Sequence, residues 1–417
     1  MASTTRTFQD MLNQYLPYEL LQEELIKRDY LLNRVEKDNS WKGGTLVVPF
    51  EGAGASSIAF GSLTEVGDIS EDIFVRGTVS SQKEVWGSMV FNHRDLLEHD
   101  GSIPEKTFLR ILPGRVEKFM DYMKQAMSVS LLNGPHMAKL TATGGADGSI
   151  VVDHPERFQL KQKVYVDDDD SAVSGVGYVQ SIDINTKTIT LDTTRAGGSD
   201  LNCSAYTVAQ NAKVYMDGAQ TAANQFSSLR GALLSATNGG DSTLYGQTKT
   251  SYPYLQAVNI DGSSITALNV LDKVFDAYVE VRRLGKGNAN EVLMSYKNFA
   301  SCLRQLEGSK GAFNVQPGSQ KASVFGWTEI TVGGVKGSLK IVGIQECDDD
   351  VIMFLDWSAV KFFSNGFFRK RIAPDGKQYY EARSTTGYTY IVDMCLFGEL
   401  VVSAPTKCGI LYGIPNY

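Results

Sequence analysis

The feature that most constrains this chain is a stretch of small residues between two segments with strand character. The segments are Leu46 to Phe50 and Ile73 to Val79, and the stretch that joins them begins EGAGASSIAFGSLTEVGD. It has too few large side chains to build a core of its own, and a long two-stranded excursion without a core is marginally stable in water. We therefore expect it to lie against another surface, for which a partner subunit is a good candidate.

A further strand is predicted at Val85 to Phe91. Because side chains alternate along a strand, Val85 and Met89 lie on one face and Trp86 and Val90 on the other. A large aromatic on an exposed arm is a natural anchor for a subunit contact, since Trp is enriched at interface hot spots. The alternative, that Trp86 is buried within its own subunit, stays open at this point.

Residues 5–37 predict a helix that Pro17 interrupts, because proline breaks the hydrogen-bond ladder of a helix. Its apolar side chains recur at helical spacing, with Phe8, Met11, Leu12, Tyr15 and Leu16 before the proline and Leu21, Leu25, Leu32 and Val35 after it. Such a helix either packs on its own domain or forms an arm on a neighbouring subunit, and the pattern favours neither.

A second long helix is predicted over residues 104–133. Its apolar stripe consists of Val116, Phe119, Met120, Met123 and Met127. We interpret the stripe as core, because methionine side chains fill irregular gaps. Pro113 fits a helix first turn, and Asn133-Gly134-Pro135 is a typical helix end.

Residues 138–216 predict an all-β unit. Its strands are short and its turns are rich in small residues, which is typical of a small barrel or sandwich. The predicted strands are Lys163 to Val166, Tyr178 to Ile184, Thr188 to Leu191 and Ala205 to Val208. The segment VQSIDINTKTITL predicts a hairpin that turns near Asn185.

The remainder mixes helices and strands. Residues 217–260 carry a predicted helix from Gln225 to Ala236, and Ser295 can cap a helix that Gly308 ends. Another helix is lined by Leu268, Leu271, Val274, Phe275, Tyr278 and Val281. The predicted strands are Glu291 to Met294, Glu329 to Val332, Ser338 to Val342, Val351 to Leu355, Val360 to Phe363, Tyr388 to Phe397 and Glu399 to Val402.

Composition argues against several functional classes. The net charge of -7 does not suit a protein that grips nucleic acid through clustered Lys and Arg. No run approaches the roughly 18 apolar residues of a membrane helix, and the polar start has no signal-peptide pattern. The five cysteines form no C-x-x-C pair, so we expect reduced thiols and not a zinc site or disulfide framework.

Motifs that carry chemistry are missing from the sequence. There is no nucleophile elbow, phosphate loop or dinucleotide fingerprint. We interpret His93 and His99 as surface or packing residues, and the acidic runs Asp167 to Asp170 and Asp348 to Asp350 as solvated turns, because neither matches an EF-hand loop. The basic run Arg369 to Arg371 lies among phenylalanines, which indicates a surface hairpin or a subunit contact or, less favoured, single-stranded nucleic acid. We expect no catalytic residue, cofactor or metal.

The order of these parts resembles the Hong Kong 97-type major capsid proteins of tailed phages. AMSVSLLNG is similar to the end of the family's spine helix, NEVLMSYKNFASCLRQL to its axial-domain strand and helix, and FGELVVSAPTKCGILYGI to its last strands. The resemblance implies an α+β fold in seven parts. They are an N-terminal arm (1–42), an E-loop with flanking strands (43–100), a spine helix (101–137), an inserted β-barrel-like domain (138–216), a peripheral-domain connector (217–260), an axial domain (261–390) and closing peripheral-domain strands (391–417).

The same resemblance implies a structural role without catalysis. Copies would assemble as hexamers and pentamers into the icosahedral head shell that encloses the genome, in the host cytoplasm, and would remain in the virion capsid. The implied partners are a portal protein, in some members a decoration protein, and double-stranded DNA bound without sequence specificity. About 40 residues precede the E-loop-like segment, so we expect any scaffold to be a separate protein.

Two other classes stay open. A bacterial encapsulin shell shares the implied fold, although encapsulins are usually shorter and lack such an insertion; a bound cargo enzyme would favour it. A β-rich hydrolase or carbohydrate-binding protein would need a convergent polar site, and turnover by the purified protein would favour it. The residues that we predict to contact another subunit are Phe60, Val85, Trp86, Arg369, Lys370 and Arg371.

Overall fold

Helices and strands are mixed along the chain, as the predicted α+β class requires. The computed structural model describes residues 29–41, 44–51, 74–92, 105–167, 174–209, 211–221, 224–285, 287–308, 316–317, 329–334, 337–366, 368–370, 380–384 and 387–417. The α-helices are α1 (Tyr30–Arg34), α2 (Glu105–Asn133), α3 (Leu229–Leu233), α4 (Val270–Leu284) and α5 (Tyr296–Gly308). The strands of the first half are β1 (Glu36–Asp38), β2 (Leu46–Glu51), β3 (Phe74–Val79), β4 (Lys83–Asn92), β5 (His136–Lys139), β6 (Ser149–Val151), β7 (Lys163–Asp167), β8 (Ser174–Asp183), β9 (Thr188–Asp192) and β10 (Lys213–Met216). Those of the second half are β11 (Thr243–Leu244), β12 (Gln247–Thr248), β13 (Val258–Asp261), β14 (Glu291–Met294), β15 (Gln316–Pro317), β16 (Glu329–Gly334), β17 (Gly337–Gly343), β18 (Val351–Leu355), β19 (Val360–Phe363), β20 (Phe368–Lys370), β21 (Tyr380–Ser384), β22 (Gly387–Val402) and β23 (Gly409–Tyr412).

The main sheet is built around β22. This strand pairs with β19, β20 and β21 along its length and with β4 over ten residue pairs, and β1 adds to β19 in parallel. The sequence predicts two strands here, separated at Gly398, but the chain continues as one. Gly398 allows this because its φ is +152° and because a Cβ atom would lie 2.2 Å from the Phe362 ring.

The segment at 46–79 forms the predicted antiparallel hairpin, β2 with β3. Its sheet is separate from β4, which joins β22 instead. Val48 and Phe50 of β2 are buried while Val47 is 52% exposed, so one face of the hairpin is covered and the other is not. The hairpin tip, Gly52 to Gly67, lies outside the described residues.

The C-terminal part of the helix predicted over residues 5–37 is wrong, because the structure has a short helix followed by a strand there. Asp29 is extended and caps a new short helix, α1, by accepting a 2.7 Å hydrogen bond from the Leu32 N–H. The chain then pairs as β1 with β19, because tertiary pairing overrides weak helical propensity here. Residues 5–28, with Pro17, lie outside the described part of the chain.

Helix α2 confirms the second predicted helix and its buried stripe. Met120, Met123 and Met127 are all buried in the largest core cluster, together with side chains of α1 and the main sheet. Pro113 is not in the first turn, since the helix begins eight residues earlier at Glu105. A helix can continue through one proline because only one intrahelical bond is lost, at a cost in stability.

Residues 136–216 hold a six-stranded antiparallel sheet in the order β5-β10-β7-β8-β9-β6, which we call the all-β unit. The hairpin β8–β9 turns near Asn185 as predicted, with Ile182 opposite Ile189. The strand predicted at Ala205 to Val208 is wrong: this segment is a turn, and β10 follows it. A separate core cluster fills the unit, to which α2 adds only Val129.

The seven-stranded sheet has the order β13-β23-β18-β14-β17-β16-β15, and α4 and α5 share a core cluster with it. The Ser295 hydroxyl accepts a 3.4 Å bond from the Asn298 N–H at the start of α5, as predicted. Leu268 is not part of α4, and its side chain is 85% exposed. The helix predicted from Gln225 is shorter than expected, because Ser228 caps α3 by accepting a bond from the Gly231 N–H. No helix among the described residues is long and apolar enough to cross a membrane.

Candidate functional sites: an exposed strand face and a buried ionic junction

The outward face of β4 carries large apolar side chains that stay half exposed among the described residues. Trp86 is 51% exposed and Val90 is 55% exposed. The Trp86 indole N–H donates to the Glu84 carboxylate at 2.8 Å, and the indole meets the Phe397 ring edge-on with centroids 6.2 Å apart. These contacts hold the indole in place while half of it faces outward.

The inward face of β4 fixes this orientation. Met89 is buried, and a Cβ atom at Gly87 would lie 2.5 Å from the Phe119 ring and 2.8 Å from the Met123 sulfur. The strand therefore lies directly on α2, and it cannot turn over without losing that packing. The alternation predicted for β4 is confirmed, and a fully buried Trp86 does not fit the structure.

The other predicted contact residues are described less completely. Phe60 and Arg371 lie outside the described residues. Arg369 and Lys370 belong to β20, where their backbones pair with Cys395 and Met394 of β22. A role of this set in subunit contact stays a prediction.

A second group of polar side chains surrounds Asp348, which is 2% exposed. Arg157, itself 1% exposed, donates to one Asp348 oxygen at 3.0 Å, and Arg230 donates to the other at 3.2 Å. Arg230 also binds both oxygens of Asp350 at 2.7 Å, and Lys139 lies 3.0 Å from Asp350. We call this group the ionic junction. The predicted turn is present at Asp349 and Asp350, which are partly exposed, but the prediction of a solvated carboxylate is wrong for Asp348, because cationic side chains surround it in the interior.

Two histidines complete the ionic junction. His136 Nε2 lies 3.6 Å from Asp348, and His154 Nε2 lies 4.0 Å from it while its Nδ1 contacts Glu156 at 2.9 Å. Burial lowers the pKa of His136 below its usual value. Burial alone would raise the pKa of Asp348, but His136, Arg157 and Lys139 hold it well below the usual range.

The ionic junction joins the all-β unit to the rest of the chain. Arg157 lies in the unit and donates to the backbone carbonyls of Met137 and Glu346 at 2.9 and 3.1 Å. Asn133, at the end of α2, accepts a 3.2 Å bond from the Asp348 N–H and donates to Glu346. Sequence reasoning missed this site because its members lie up to 215 residues apart and no local spacing links them.

Buried carboxylates also tie other elements together. Glu291 of β14, 1% exposed, accepts bonds from Arg34 at 3.0 Å and from the Trp357 indole at 2.9 Å, which fixes α1 beside the seven-stranded sheet. Burial raises the pKa of Asp29 to about 6 and that of Glu399 to about 7. Within the described residues no group of His, Cys, Asp or Glu could hold a metal ion, and all five cysteines are buried and free.

No protein-family model matches the chain, and no curated protein matches its sequence. Solved structures are similar in fold at low identity. The capsid asymmetric unit of cyanophage A-1(L) is 12% identical with a TM-score of 0.44, covering 92% of this chain and 91% of that one. The capsid of the native GTA particle is 12% identical with a TM-score of 0.47 and covers 92% and 90%. The SrpI encapsulin complex of Synechococcus elongatus PCC 7942 is 8% identical with a TM-score of 0.41 and covers 93% and 89%.

Proposed function

We propose that this chain is a shell-forming structural subunit, the major capsid protein of a tailed phage. Copies of it would assemble into a closed icosahedral head around double-stranded DNA. The single observation that carries the proposal is the uncovered apolar face of β4. A half-exposed Trp and a half-exposed Val on a strand held rigidly by α2 are what a subunit contact requires.

Exposed apolar side chains recur on the neighbouring hairpin, where Val47 is 52% exposed. Scattered single apolar residues are ordinary on a protein surface. Here they lie on strands whose opposite faces are packed, so each strand offers a preformed surface with little ordering cost on binding. Many weak contacts of this kind reinforce one another in a closed assembly.

The proposed partners follow from the shell. They are further copies of this chain in hexamers and pentamers, a separate scaffolding protein, a portal protein, in some heads a decoration protein, and DNA held without sequence specificity. The net charge of -7 supports the last point, since an acidic container does not bind its own DNA tightly. We propose no catalytic activity for the chain.

Trp86→Ala tests the contact directly. We expect the variant to lose only about 1 kcal/mol of subunit stability, because half of the indole is already exposed, and to fail to form shells. Leu268→Ala is the matched control, because Leu268 is an exposed apolar residue outside β4. Thermal melts and electron microscopy of both variants give the result. A loss of about 3–5 kcal/mol in Trp86→Ala would instead mean that the residue acts in the subunit core.

A further inference from the structure

The all-β unit is connected to the rest of the chain at two glycines, and clefts border one of its sides. The chain enters the unit at Gly134, between α2 and β5, and leaves it at Gly218, just after β10. Both glycines have a positive φ, of +118° and +89°, which other residues rarely adopt. Two clefts of about 460 Å³ and about 320 Å³ separate the unit from β4 and α2, with described residues on both walls. The unit therefore has space to turn about its two connections.

The ionic junction opposes such a movement on the other side of the unit. Arg157 of the unit lies 3.0 Å from Asp348, and Lys139 lies 3.0 Å from Asp350. Arg157 also donates to the Glu346 carbonyl at 3.1 Å. Because Arg157 and Asp348 are both buried, solvent ions screen their attraction little. These contacts cross the boundary of the unit, so a turn of the unit would have to break them.

His136 lies within the ionic junction, at the start of β5, and is 7% exposed. Its Nε2 atom is 3.6 Å from Asp348 and has no hydrogen-bond partner among the described residues. Asp348 is already compensated by Arg157, Arg230 and Lys139, at 3.0, 3.2 and 3.7 Å. A proton on His136 would add a fourth positive charge to this buried group. The ring is therefore neutral while the junction is closed, and burial together with Lys139 and Arg230 lowers its pKa, although Asp348 acts in the opposite sense.

We propose that the ionic junction is a pH-operated latch, in which protonation of His136 frees the all-β unit to turn away from the seven-stranded sheet. Water reaches the ring when the junction is open, so His136 there has its ordinary pKa of about 6.5 and binds a proton that the closed junction excludes. The closed state is therefore fully stable above pH 6.5 and loses stability as the pH falls below it. This inference concerns a single chain and goes beyond the formation of shells.

The other ionisable groups of the ionic junction do not produce this response. Burial raises the pKa values of Asp348 and Asp350, but the surrounding cations outweigh it and hold both below the usual range, so the two carboxylates stay charged in mild acid. Burial also raises the pKa of Asp153, whose protonation would favour the closed state and so oppose the latch. The remaining ionisable groups that face His136 or Asp348 are Lys139, His154, Glu156, Arg157, Arg230 and Cys347.

Electron–electron double resonance between two spin labels on the full-length protein tests the latch. One label is placed at Ile184→Cys, in the turn between β8 and β9, and the other at Leu284→Cys, at the end of α4. Both side chains are more than half exposed, whereas the five natural cysteines are buried and take up no label. The labelled chain is mixed with an excess of unlabelled chain, so that only distances within one chain are measured.

At pH 7.5 we expect one narrow distance distribution. Between pH 6.5 and pH 5.5 the ratio of open to closed chains should rise by up to about tenfold, because opening binds one proton. His136→Gln cannot take up this proton and should keep the narrow distribution at pH 5.5. His136→Arg carries its charge at every pH and should be open already at pH 7.5. His154→Gln is the matched control and should respond as the natural chain does, because His154 pairs with Glu156 inside the unit and opening leaves that contact in place.

An unchanged distribution of the natural chain at pH 5.5, or the same change in His136→Gln, would overturn the latch. Loss of the response in His154→Gln would overturn the assignment to His136. A second label pair, Leu268→Cys with Leu284→Cys, flanks α4 and should keep its distance at both pH values. A change in that pair would mean that acid unfolds the whole chain, and it would overturn the latch too. His136→Arg gives an independent reading if His136→Gln folds poorly.

Discussion

At the scale of single residues, the least expected feature is the charge of Asp348 in the protein interior. A carboxylate in a low-dielectric interior is costly unless cations and hydrogen bonds surround it. Arg157, Arg230 and Lys139 supply the cations, and the backbone N–H of Asp348 is held by Asn133. Removing the Asp348 charge would therefore leave Arg157 buried without a counter-ion.

Asp348→Asn should lower the free energy of unfolding by about 3–5 kcal/mol, since it leaves Arg157 charged and buried. Asp349→Asn is the matched control, because the Asp349 carboxylate makes no ion pair with any described residue. Chemical denaturation of the two variants gives the comparison. Equal effects at both positions would mean that the ionic junction contributes nothing specific.

Glu399 makes stability depend on pH in the opposite sense to an ordinary surface carboxylate. Burial raises its pKa from 4.5 to about 7, so the folded state holds a proton that the unfolded state has released. This contribution is fully present below about pH 4.5 and is lost as the pH rises through 7. Glu399→Gln should therefore gain stability relative to the natural chain between pH 5 and pH 8, by up to about 3 kcal/mol. Denaturation midpoints at the two pH values measure this gain. Glu280→Gln is the control, because the ion pair with Arg283 lowers the pKa of Glu280 instead of raising it. A constant difference between the variant and the natural chain would contradict this account.

At the scale of elements, local patterns predict best where one face of an element is buried. The methionine stripe of α2 and the strand β18 are where the sequence places them. The predictions fail where contacts with residues distant in sequence determine the secondary structure. Glu36 to Asp38 pair with β19, more than 300 residues away, and the segment at Ala205 to Val208 gives way to β10 as the pairing strand. From the sequence, Gly398 predicts the end of a strand. The nearby Phe362 ring explains why a glycine is needed inside a continuous strand.

The all-β unit is the element that should fold alone. Residues 138–216 contain nearly all of its core cluster, and within them Lys139, His154 and Arg157 face the ionic junction. We expect the isolated segment to give a β-type circular dichroism spectrum and a cooperative melt. Val164→Asp is the control, because Val164 is fully buried and a charge there should abolish the melt. A random-coil spectrum from the natural segment would show that the unit depends on the rest of the chain, and its description as an inserted domain would then fail.

At the scale of the whole molecule, two core clusters lie on opposite faces of the seven-stranded sheet and a third fills the all-β unit. Among the described residues, the outward face of β4 stays half exposed. The candidate contact face could be predicted, because strand alternation alone separates Trp86 from Val85. The ionic junction could not, because its charges come from four distant segments that only the folded chain brings together. The sequence therefore predicts the exposed face of β4 better than it predicts the ionic junction.

The central claim is that this chain builds a shell, and negative-stain electron microscopy of the overexpressed full-length protein tests it most directly. The protein should be imaged alone and together with a candidate scaffolding protein. We expect capsomer-sized rings or closed shells of uniform diameter, in at least the sample with scaffold, because we propose that the half-exposed face of β4 contacts another subunit. Shells that hold an enzyme cargo and no genome would instead identify an encapsulin. A protein that stays strictly monomeric at high concentration, even beside all proteins of its virion, would contradict the account.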